Sequence, residues 1–541
     1  MAFERLFSLI SRNDASVVNS ETEVLIAGAG PTGLVLALWL THLGVKVRII
    51  DKTDRPGTTS RALAVHARIL EFYDQIDLAG EIVGRGRKME AINLWVAGKH
   101  KARVVFGDMG KGISPFPFAL MFPQDEHERI LIARLQDLGV TVERSTELVG
   151  FNEKNARVTA RVRRPDGSEE TVEAAFIAGC DGTHSIVRDT IKVGFQGGTY
   201  SHIFYVADVN ASGRAMNGEL NLGLDEAEFL AVFPLTESGQ ARFVGSVKRD
   251  VEARDDLTFD DVRPRLIDRL DINVQRVNWF STYRVHHRVA GHFRLGRVFL
   301  LGDAAHIHSP VGGQGMNTGI GDAVNLSWKL AAVLRGRANI HLLDSYEPER
   351  IAFARRLVAT TDSAFQLVNR DGAVARFVRL RLVPLLMPAL FSFRDARRLM
   401  FRTLSQTSVN YRDSELSVGS AGSVKSGDRL PWVRQEDKLD NFASLRSLDW
   451  QAHVYGEATA GMQKACEKAC LNLRSFPWNE AARKAGIARN AFYLIRPDGY
   501  VALAAPNDAF SLGDYQARHG LVFAKKERVA DQASAAATDP R

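Results

Sequence analysis

The segment that most constrains this chain is GAGPTG, a glycine-rich turn between a strand-like run and a helix-like run. The apolar, β-branched residues TEVLIA precede it, and PTGLVLALWLTHLG follows with the spacing of a buried helix. Gly28 permits a tight turn, Gly30 lets the backbone approach a pyrophosphate, and Gly33 allows close helix packing. Backbone N–H groups at the helix N-terminus, beside Pro31 and Thr32, suit phosphate oxygens. The sequence therefore predicts a βαβ unit that binds a dinucleotide.

An acidic residue follows the next strand, VKVRIID, at the place such a unit needs it. Asp51 lies 18 residues after Gly33 and is followed by Lys52. A carboxylate there can accept hydrogen bonds from an adenosine ribose. A glycine turn without a ligand is the alternative, and the turn alone does not separate FAD from NAD.

Composition excludes several other classes of protein. The chain has 541 residues, 45% of them hydrophobic, and a formal charge of +7 without a run of five or six basic residues. Nucleic-acid binding is not expected, because it needs a concentrated basic stripe. Three cysteines build no disulfide framework, which favours a cytoplasmic protein. The most apolar later segment, at residues 382–391, is too short for a membrane span. No histidine spacing predicts a metal site.

A second nucleotide signal begins at Gly302, in GDAAHIHSPVGGQGMNTGIGDAVNLSWKL. Here the sequence resembles the single-component (class A) FAD-dependent aromatic hydroxylases, in the branch of phenol, pentachlorophenol and polyketide hydroxylases. The resemblance implies that Asp303 binds the ribityl chain of FAD and that the loop Pro310 to Asn317 runs along the isoalloxazine ring. Backbone N–H groups of such a loop would stabilise an anionic reduced flavin. The cofactor-binding residues implied by this segment are Gly302, Asp303, Pro310, Gly313, Gly315, Met316 and Asn317.

Other segments match the same family. GCDGTHSIVR resembles its second nucleotide motif, associated with FAD and NAD(P)H, and contains Asp181 and Gly182. SRALAVHARILEFYDQIDL resembles the flavin-domain helix and places Arg61 and Arg68 near the cofactor. PQDEHERILIARL supplies Gln124, which matches a family glutamine near FAD. Taken singly, these could be ordinary turn or solvated helix residues.

The predicted fold class is α/β, a Rossmann-like FAD-binding fold of the para-hydroxybenzoate hydroxylase type. We expect a discontinuous FAD-binding domain over residues 20–200 and 285–370, and a substrate-binding antiparallel β-sheet domain over residues 201–284. A helical connection is expected over residues 371–415. The resemblance implies a thioredoxin-like C-terminal domain over residues 416–525, redox-silent because it lacks CxxC, and a disordered tail over residues 526–541. In the family, the thioredoxin-like domain is associated with dimer contacts, so a homodimer is one expectation.

The function implied is NAD(P)H-dependent hydroxylation of an aromatic, phenolic substrate by O2, through a flavin C4a-hydroperoxide. A base near the ring would help by forming the phenolate. The sequence does not name that base, because Leu63 stands where phenol hydroxylase has a catalytic aspartate. Candidates near the predicted pocket are His66, Tyr205, Tyr283 and His286, each of which could equally be structural.

Two other functions remain open from the sequence. The first is a flavin-dependent monooxygenase or reductase that acts on a non-aromatic substrate. The second is a non-catalytic flavin sensor that uses its C-terminal region for interaction.

Overall fold

The computed structural model describes residues 19–57, 62–107, 109–225, 229–235, 239–247, 257–263, 265–309, 311–369, 377–382, 385–386, 391–434, 440–505 and 510–523. Contacts between residues divide the chain into two compact units. The first unit contains the described residues up to Leu334 together with Leu343–Val409, and the second contains Arg335–Leu342 and the described residues from Asn410 onward. The finer domain division made from the sequence stays a prediction.

The first unit combines two large sheets with helices. Its strands are β1 (Asn19–Ala27), β2 (Val47–Ile50), β3 (Ala64–Val65), β4 (Arg87–Met89), β5 (Ala91–Val96), β6 (Lys99–Val105), β7 (Ala119–Met121), β8 (Val142–Glu143), β9 (Glu147–Lys154), β10 (Arg157–Arg163), β11 (Glu169–Gly179), β12 (Phe195–Gly213), β13 (Leu220–Leu224), β14 (Phe229–Pro234), β15 (Gln240–Ser246), β16 (Ile272–Ala290), β17 (Arg294–Leu295), β18 (Val298–Leu300) and β19 (His306–Ile307). Its helices are α1 (Pro31–His42), α2 (Ala67–Gln75), α3 (Ala79–Arg85), α4 (Gln124–Asp137), α5 (Ile186–Ile191), α6 (Phe259–Val262), α7 (Arg265–Arg269), α8 (Gly315–Leu334), α9 (Tyr346–Asn369) and α10 (Arg394–Leu404).

The first sheet has a parallel centre. Its strand order is β17-β18-β11-β1-β2-β8, and the neighbours β18-β11-β1-β2-β8 all run parallel. β9 and β10 form an antiparallel meander that returns to β11. Helix α1 is buried from Gly33 to Leu40, as its continuous apolar sequence requires. Because parallel strands end at one edge, the turns after β1, β2, β11 and β18 are brought together there.

The second sheet is the expected antiparallel layer, with the order β19-β16-β12-β15-β14-β13-β5-β6. It also takes in β5 and β6, which precede the predicted bounds, and β5 pairs in parallel with β13. One face is covered by α6 and α7, whose Phe259, Leu266 and Ile267 pack into the same core as Tyr205. We call the opposite face, which carries Phe204, Asp208, Arg242 and Tyr283, the open face.

The second unit is a smaller α/β body. Its strands are β20 (Val418–Ala421), β21 (Val424–Lys425), β22 (Gln451–Tyr455), β23 (Asn472–Phe476), β24 (Phe492–Ile495) and β25 (Val501–Ala505), and its helices are α11 (Ala460–Lys468), α12 (Glu480–Lys484) and α13 (Phe510–His519). The sheet order is β21-β20-β25-β24-β22-β23. Arg496 and Asp498, in the turn between β24 and β25, form a fully buried ion pair with a distance of 2.6 Å between Nη2 and Oδ2.

Among the described residues, no helix has both the length and the apolar content that crossing a membrane requires.

Candidate active site

Backbone hydrogen bonds join the strand ends of the first sheet into one continuous edge. The N–H of Gly28 donates to Ile50 O at 2.8 Å, and the N–H of Cys180 donates to Ala27 O at 2.8 Å. The N–H of Leu301 donates to Gly179 O at 3.0 Å. The three glycine-containing segments singled out in the sequence therefore lie side by side.

The first of these turns leaves space at one glycine only. Gly28 has φ +102°, and a Cβ there would lie 2.5 Å from the carbonyl carbon of Cys180. A Cβ on Gly33 would overlap the carbonyl oxygen of Gly28. Gly30 differs, because its φ is −77° and no protein atom lies within 4 Å of a Cβ built on it. Gly28 and Gly33 are thus needed by the protein itself, whereas the space over Gly30, at the N-terminus of α1, suits a ligand.

Asp51 is held next to this turn. Its Oδ2 accepts a hydrogen bond from the N–H of Ala29 at 2.7 Å, and its Oδ1 accepts from the N–H of Thr53 at 2.8 Å. The carboxylate is half-buried, so its orientation is fixed while part of it stays accessible. Lys52 is exposed beside it.

Gln124 begins α4 and donates from Nε2 to Glu128 Oε1 at 2.8 Å, and burial raises the pKa of that glutamate.

The second turn follows β11 and contains a carboxylate in a dry setting. Burial raises the pKa of Asp181, although the N–H of Val187 donates to its Oδ2 at 3.2 Å. Its Oδ1 is buried, and no hydrogen-bond partner reaches it from the described part of the chain. Gly182, at φ +77°, has open space where a Cβ would stand. A donor group supplied by a ligand would satisfy this oxygen.

Arg188 connects the second turn to the third. Its guanidinium donates to Thr183 O at 2.9 Å and to Ala304 O at 3.2 Å, and it lies 4.0 Å from the ring centroid of Phe195. This side chain is buried, so it fixes the relative position of the two turns.

The third turn is built around Gly302 and packs on Thr32. Gly302 has φ +57°, and a Cβ there would lie 2.7 Å from Thr32 Oγ1. Its N–H donates to Asp322 Oδ2 at 3.0 Å, and Asp322 also binds His306 and the guanidinium of Arg350. Arg350 and His306 hold the pKa of Asp322 below its usual value although the carboxylate is buried. Asp303, by contrast, is exposed at this edge of the sheet.

The glycine loop after the third turn is tied to β3. Asn317 is fully buried; its Nδ2 donates to Ala64 O and Gly313 O, both at 2.8 Å, and its Oδ1 accepts from the N–H of His66 at 2.9 Å. His66 Nε2 lies 2.9 Å from Gly312 O, and burial lowers its pKa to about 4. The side chains of Asn317 and His66 thus hold the loop, whereas Gly313, Gly315 and Met316 remain partly accessible.

Three further residues, Arg61, Arg68 and Pro310, are predicted to lie near the cofactor. Arg68 is buried and donates to Glu71 Oε2 at 2.9 Å, with its guanidinium 4.1 Å from the ring centroid of Phe72. Its charge is therefore engaged inside the protein. Arg61 and Pro310 lie outside the described residues.

The candidate bases separate by sheet face. Tyr205 is fully buried on the face covered by α6 and α7. Tyr283 lies on the open face, where it packs with Phe204 and Phe229. His286 Nδ1 lies 2.7 Å from Thr199 Oγ1, and burial together with nearby cationic groups lowers its pKa. The strand parity that separates Tyr205 from Tyr283 could have been read from the sequence only with the register known.

The open face also carries an ion pair that the sequence did not reveal. Arg242 donates from Nε and Nη2 to the two carboxylate oxygens of Asp208, each at 2.7 Å. Its Nη1 lies 3.5 Å from Ala62 O, next to β3. Within the described ranges, no group of three or more His, Cys, Asp or Glu residues is arranged to hold a metal ion.

Comparisons with known proteins agree with this geometry. The family described as FAD binding domain matches residues 21–361. The 6-methylpretetramide 4-monooxygenase of Streptomyces rimosus is 35% identical over 523 residues, which cover 89% of this chain and 90% of that protein. The pentachlorophenol 4-monooxygenase of Sphingobium chlorophenolicum is 30% identical over 442 residues, 79% of each chain. Among solved structures, OxyS anhydrotetracycline hydroxylase from Streptomyces rimosus has a TM-score of 0.74 at 28% identity and covers 92% of this chain and 98% of its own.

Proposed function

This chain belongs to the FAD binding domain family and is an FAD-dependent monooxygenase with an aromatic substrate. From that premise we propose that it hydroxylates a phenol between the glycine loop and the open face. NAD(P)H is the electron donor typical of these enzymes. The observation that carries the proposal is the joined edge of the first sheet, where the space over Gly30 and the exposed Asp303 belong to one surface.

The residues along this edge fit an extended FAD. The pyrophosphate would lie over Gly30 at the N-terminus of α1, where free N–H groups and the helix dipole favour anions. Asp51 would bind the adenosine ribose and Asp303 the ribityl chain. Asp181, whose buried Oδ1 needs a donor, would complete the polar contacts between them. When bound, FAD supplies the chemistry of taking up a hydride from NAD(P)H and activating O2.

The protein contributes a rigid and partly dry ring site. Helix α8 begins at Gly315, so its positive end lies at the loop beside which the flavin ring would bind. That end would stabilise negative charge on a flavin ring bound there. Because Asn317 and His66 hold the loop through buried hydrogen bonds, the N–H groups are already oriented before any charge develops.

The open face would hold the aromatic substrate. Phe229 and Tyr283, half-buried beside the buried ring of Phe204, would provide an apolar, aromatic surface, which favours ring stacking and excludes water. Tyr283 is the candidate on this face that could exchange a hydrogen bond with a phenol. Tyr205 has the same chemistry but is packed on the covered face, so we assign it to the core.

The test is oxygen transfer by the FAD-loaded enzyme. NADPH and NADH oxidation would be followed with a panel of mono- and polycyclic phenols, and products would be analysed by mass spectrometry under ¹⁸O2. We expect at least one phenol both to stimulate oxidation and to gain a single labelled oxygen atom. Stimulated oxidation that releases only hydrogen peroxide, for every phenol tested, would contradict the assigned reaction.

A matched pair of variants tests the assigned edge. Asp303→Ala should weaken FAD binding, because the ribityl chain loses a hydrogen-bond acceptor worth about 1 kcal/mol or more. Asp137→Ala removes an equally exposed carboxylate at the end of α4 and should leave FAD affinity unchanged. Equal FAD affinities for the two variants would argue against the placement.

A further inference from the structure

The ion pair Asp208–Arg242 occupies a distinctive position on the open face. The two residues are directly opposite in the register of β12 and β15, and the guanidinium meets the carboxylate through two parallel bonds of 2.7 Å. Arg242 is buried, whereas the Asp208 side chain is 20% exposed. The carboxylate is therefore the accessible end of the pair.

The pair lies beside one aromatic ring and next to the segment that precedes β3. The guanidinium carbon lies 5.8 Å from the ring centroid of Trp279, and Phe204 is on the same face of β12. On its other side, Arg242 reaches Ala62 O, two residues before the Ala64 carbonyl that Asn317 binds. The pair thus lies between Trp279 and the segment to which Asn317 ties the glycine loop.

Because Asp208 balances the charge of Arg242, the pair affects which substrate groups can bind beside it. A lone arginine on an aromatic surface would bind a carboxylate in the bidentate manner that its planar fork favours. Here Asp208 already occupies that fork, so an aryl carboxylate would meet no available bidentate partner and would approach a second negative charge. A phenol or amide group could instead donate to the remaining lone pairs of Asp208.

We propose that Asp208 determines specificity: by neutralising Arg242 it makes the site accept uncharged phenols and amides and reject aryl carboxylates. This inference rests on the proposed position of the substrate on the open face. Asp208 acts on the substrate by direct contact, and Arg242 acts through Asp208.

The test uses calorimetric titration of the FAD-loaded enzyme with two matched probes, rhein, a dihydroxyanthraquinone carboxylate, and its carboxamide. The wild-type protein should bind the carboxamide at least about tenfold more tightly. Asp208→Asn leaves Arg242 without its counter-charge and should reduce or reverse that preference by about 30-fold, the effect of one unit charge about 8 Å away at an effective dielectric constant of about 20. Asp208→Glu keeps the charge and should keep the preference.

Two further variants separate specificity from structure. In Asp208→Asn combined with Arg242→Gln, the gain in carboxylate affinity should disappear, because no cation remains. Arg242→Gln alone leaves Asp208 without its partner and should widen the preference for the carboxamide. This variant gives an independent answer if Asp208→Asn fails to retain FAD.

The outcomes are distinct. Equal binding of both probes by the wild-type protein, or an unchanged preference in Asp208→Asn and in Arg242→Gln, overturns the inference but leaves phenol hydroxylation standing. Failure of the wild-type protein to bind either probe, together with no stimulation of NADPH oxidation by any phenol, contradicts the proposed function and this inference with it.

Discussion

Substitution of Gly30 by alanine should separate FAD binding from folding. The φ of −77° is ordinary for alanine, and no protein atom lies within 4 Å of the new methyl group. Loss of glycine at the N-cap position of α1 costs some stability, and the smaller entropy of the unfolded chain offsets it. The net change in the free energy of unfolding of the apoprotein should stay below about 1 kcal/mol.

In the complex, the same methyl group would stand where the pyrophosphate approaches the backbone. Inserting a methyl group into a well-packed contact costs about 1–3 kcal/mol. Since about 1.4 kcal/mol corresponds to a tenfold change, the Kd for FAD should rise about five- to 150-fold. Titration of apoprotein with FAD, followed by flavin fluorescence, measures this change, and thermal unfolding by circular dichroism measures stability.

Gly28→Ala is the matched comparison, because here the protein itself fills the space. The left-handed φ of +102° costs about 1–2 kcal/mol for alanine, and the overlap with Cys180 costs about 1–3 kcal/mol more. Gly28→Ala should therefore lower the melting temperature of the apoprotein, unlike Gly30→Ala. If Gly30→Ala binds FAD as tightly as the wild-type protein, the pyrophosphate does not lie over Gly30 and the reasoning fails.

Three other predictions concern residues elsewhere in the chain. His66 has a pKa of about 4 in the folded protein and about 6.5 when unfolded, so stability should fall as the pH decreases from about 6.5 to about 4; in His66→Gln, thermal unfolding across this range should show a smaller loss. Tyr205→Phe should leave kcat for a phenol within about twofold, whereas Tyr283→Phe should raise KM by about two- to tenfold. If the two variants change kcat and KM by the same amounts, the face assignment is refuted. Arg496→Ala leaves the carboxylate of Asp498 buried without its partner, which should destabilise the second unit by about 3–5 kcal/mol while FAD affinity in the first unit is retained; unchanged calorimetric unfolding would contradict this.

The described parts of the nucleotide site could be predicted because their signals are local. Gly28 needs a positive φ, and Asp51 stands at the end of a strand, so both positions follow from short segments of sequence. The structure does bring Asp181 and Asp303 to the same edge as these residues, and their contacts with FAD remain predictions. For Arg68 the motif did not reveal that Glu71 engages its charge inside the protein, and its position near the cofactor stays a prediction.

The substrate side depended on sheet register rather than on motifs. Tyr205 and Tyr283 are equivalent in type and both lie on strands, but the pairing of β12 with β16 sends them to opposite faces. Asp208 and Arg242 are 34 residues apart and match no motif, and they became a pair only through the register of β12 and β15.

By itself the sequence determined the βαβ fold, because glycine conformation and strand-to-helix periodicity act over a few residues. The use of FAD and the aromatic hydroxylase family followed from the resemblance carried by the segment that begins at Gly302. The tertiary structure alone decided which groups lie on each face of the second sheet. Side chains alternate between the two faces of a strand, so a shift of one residue in pairing would exchange the open face for the covered one. Long-range pairing sets that register, and with it whether the charge of Arg242 is available to a substrate or already balanced by Asp208.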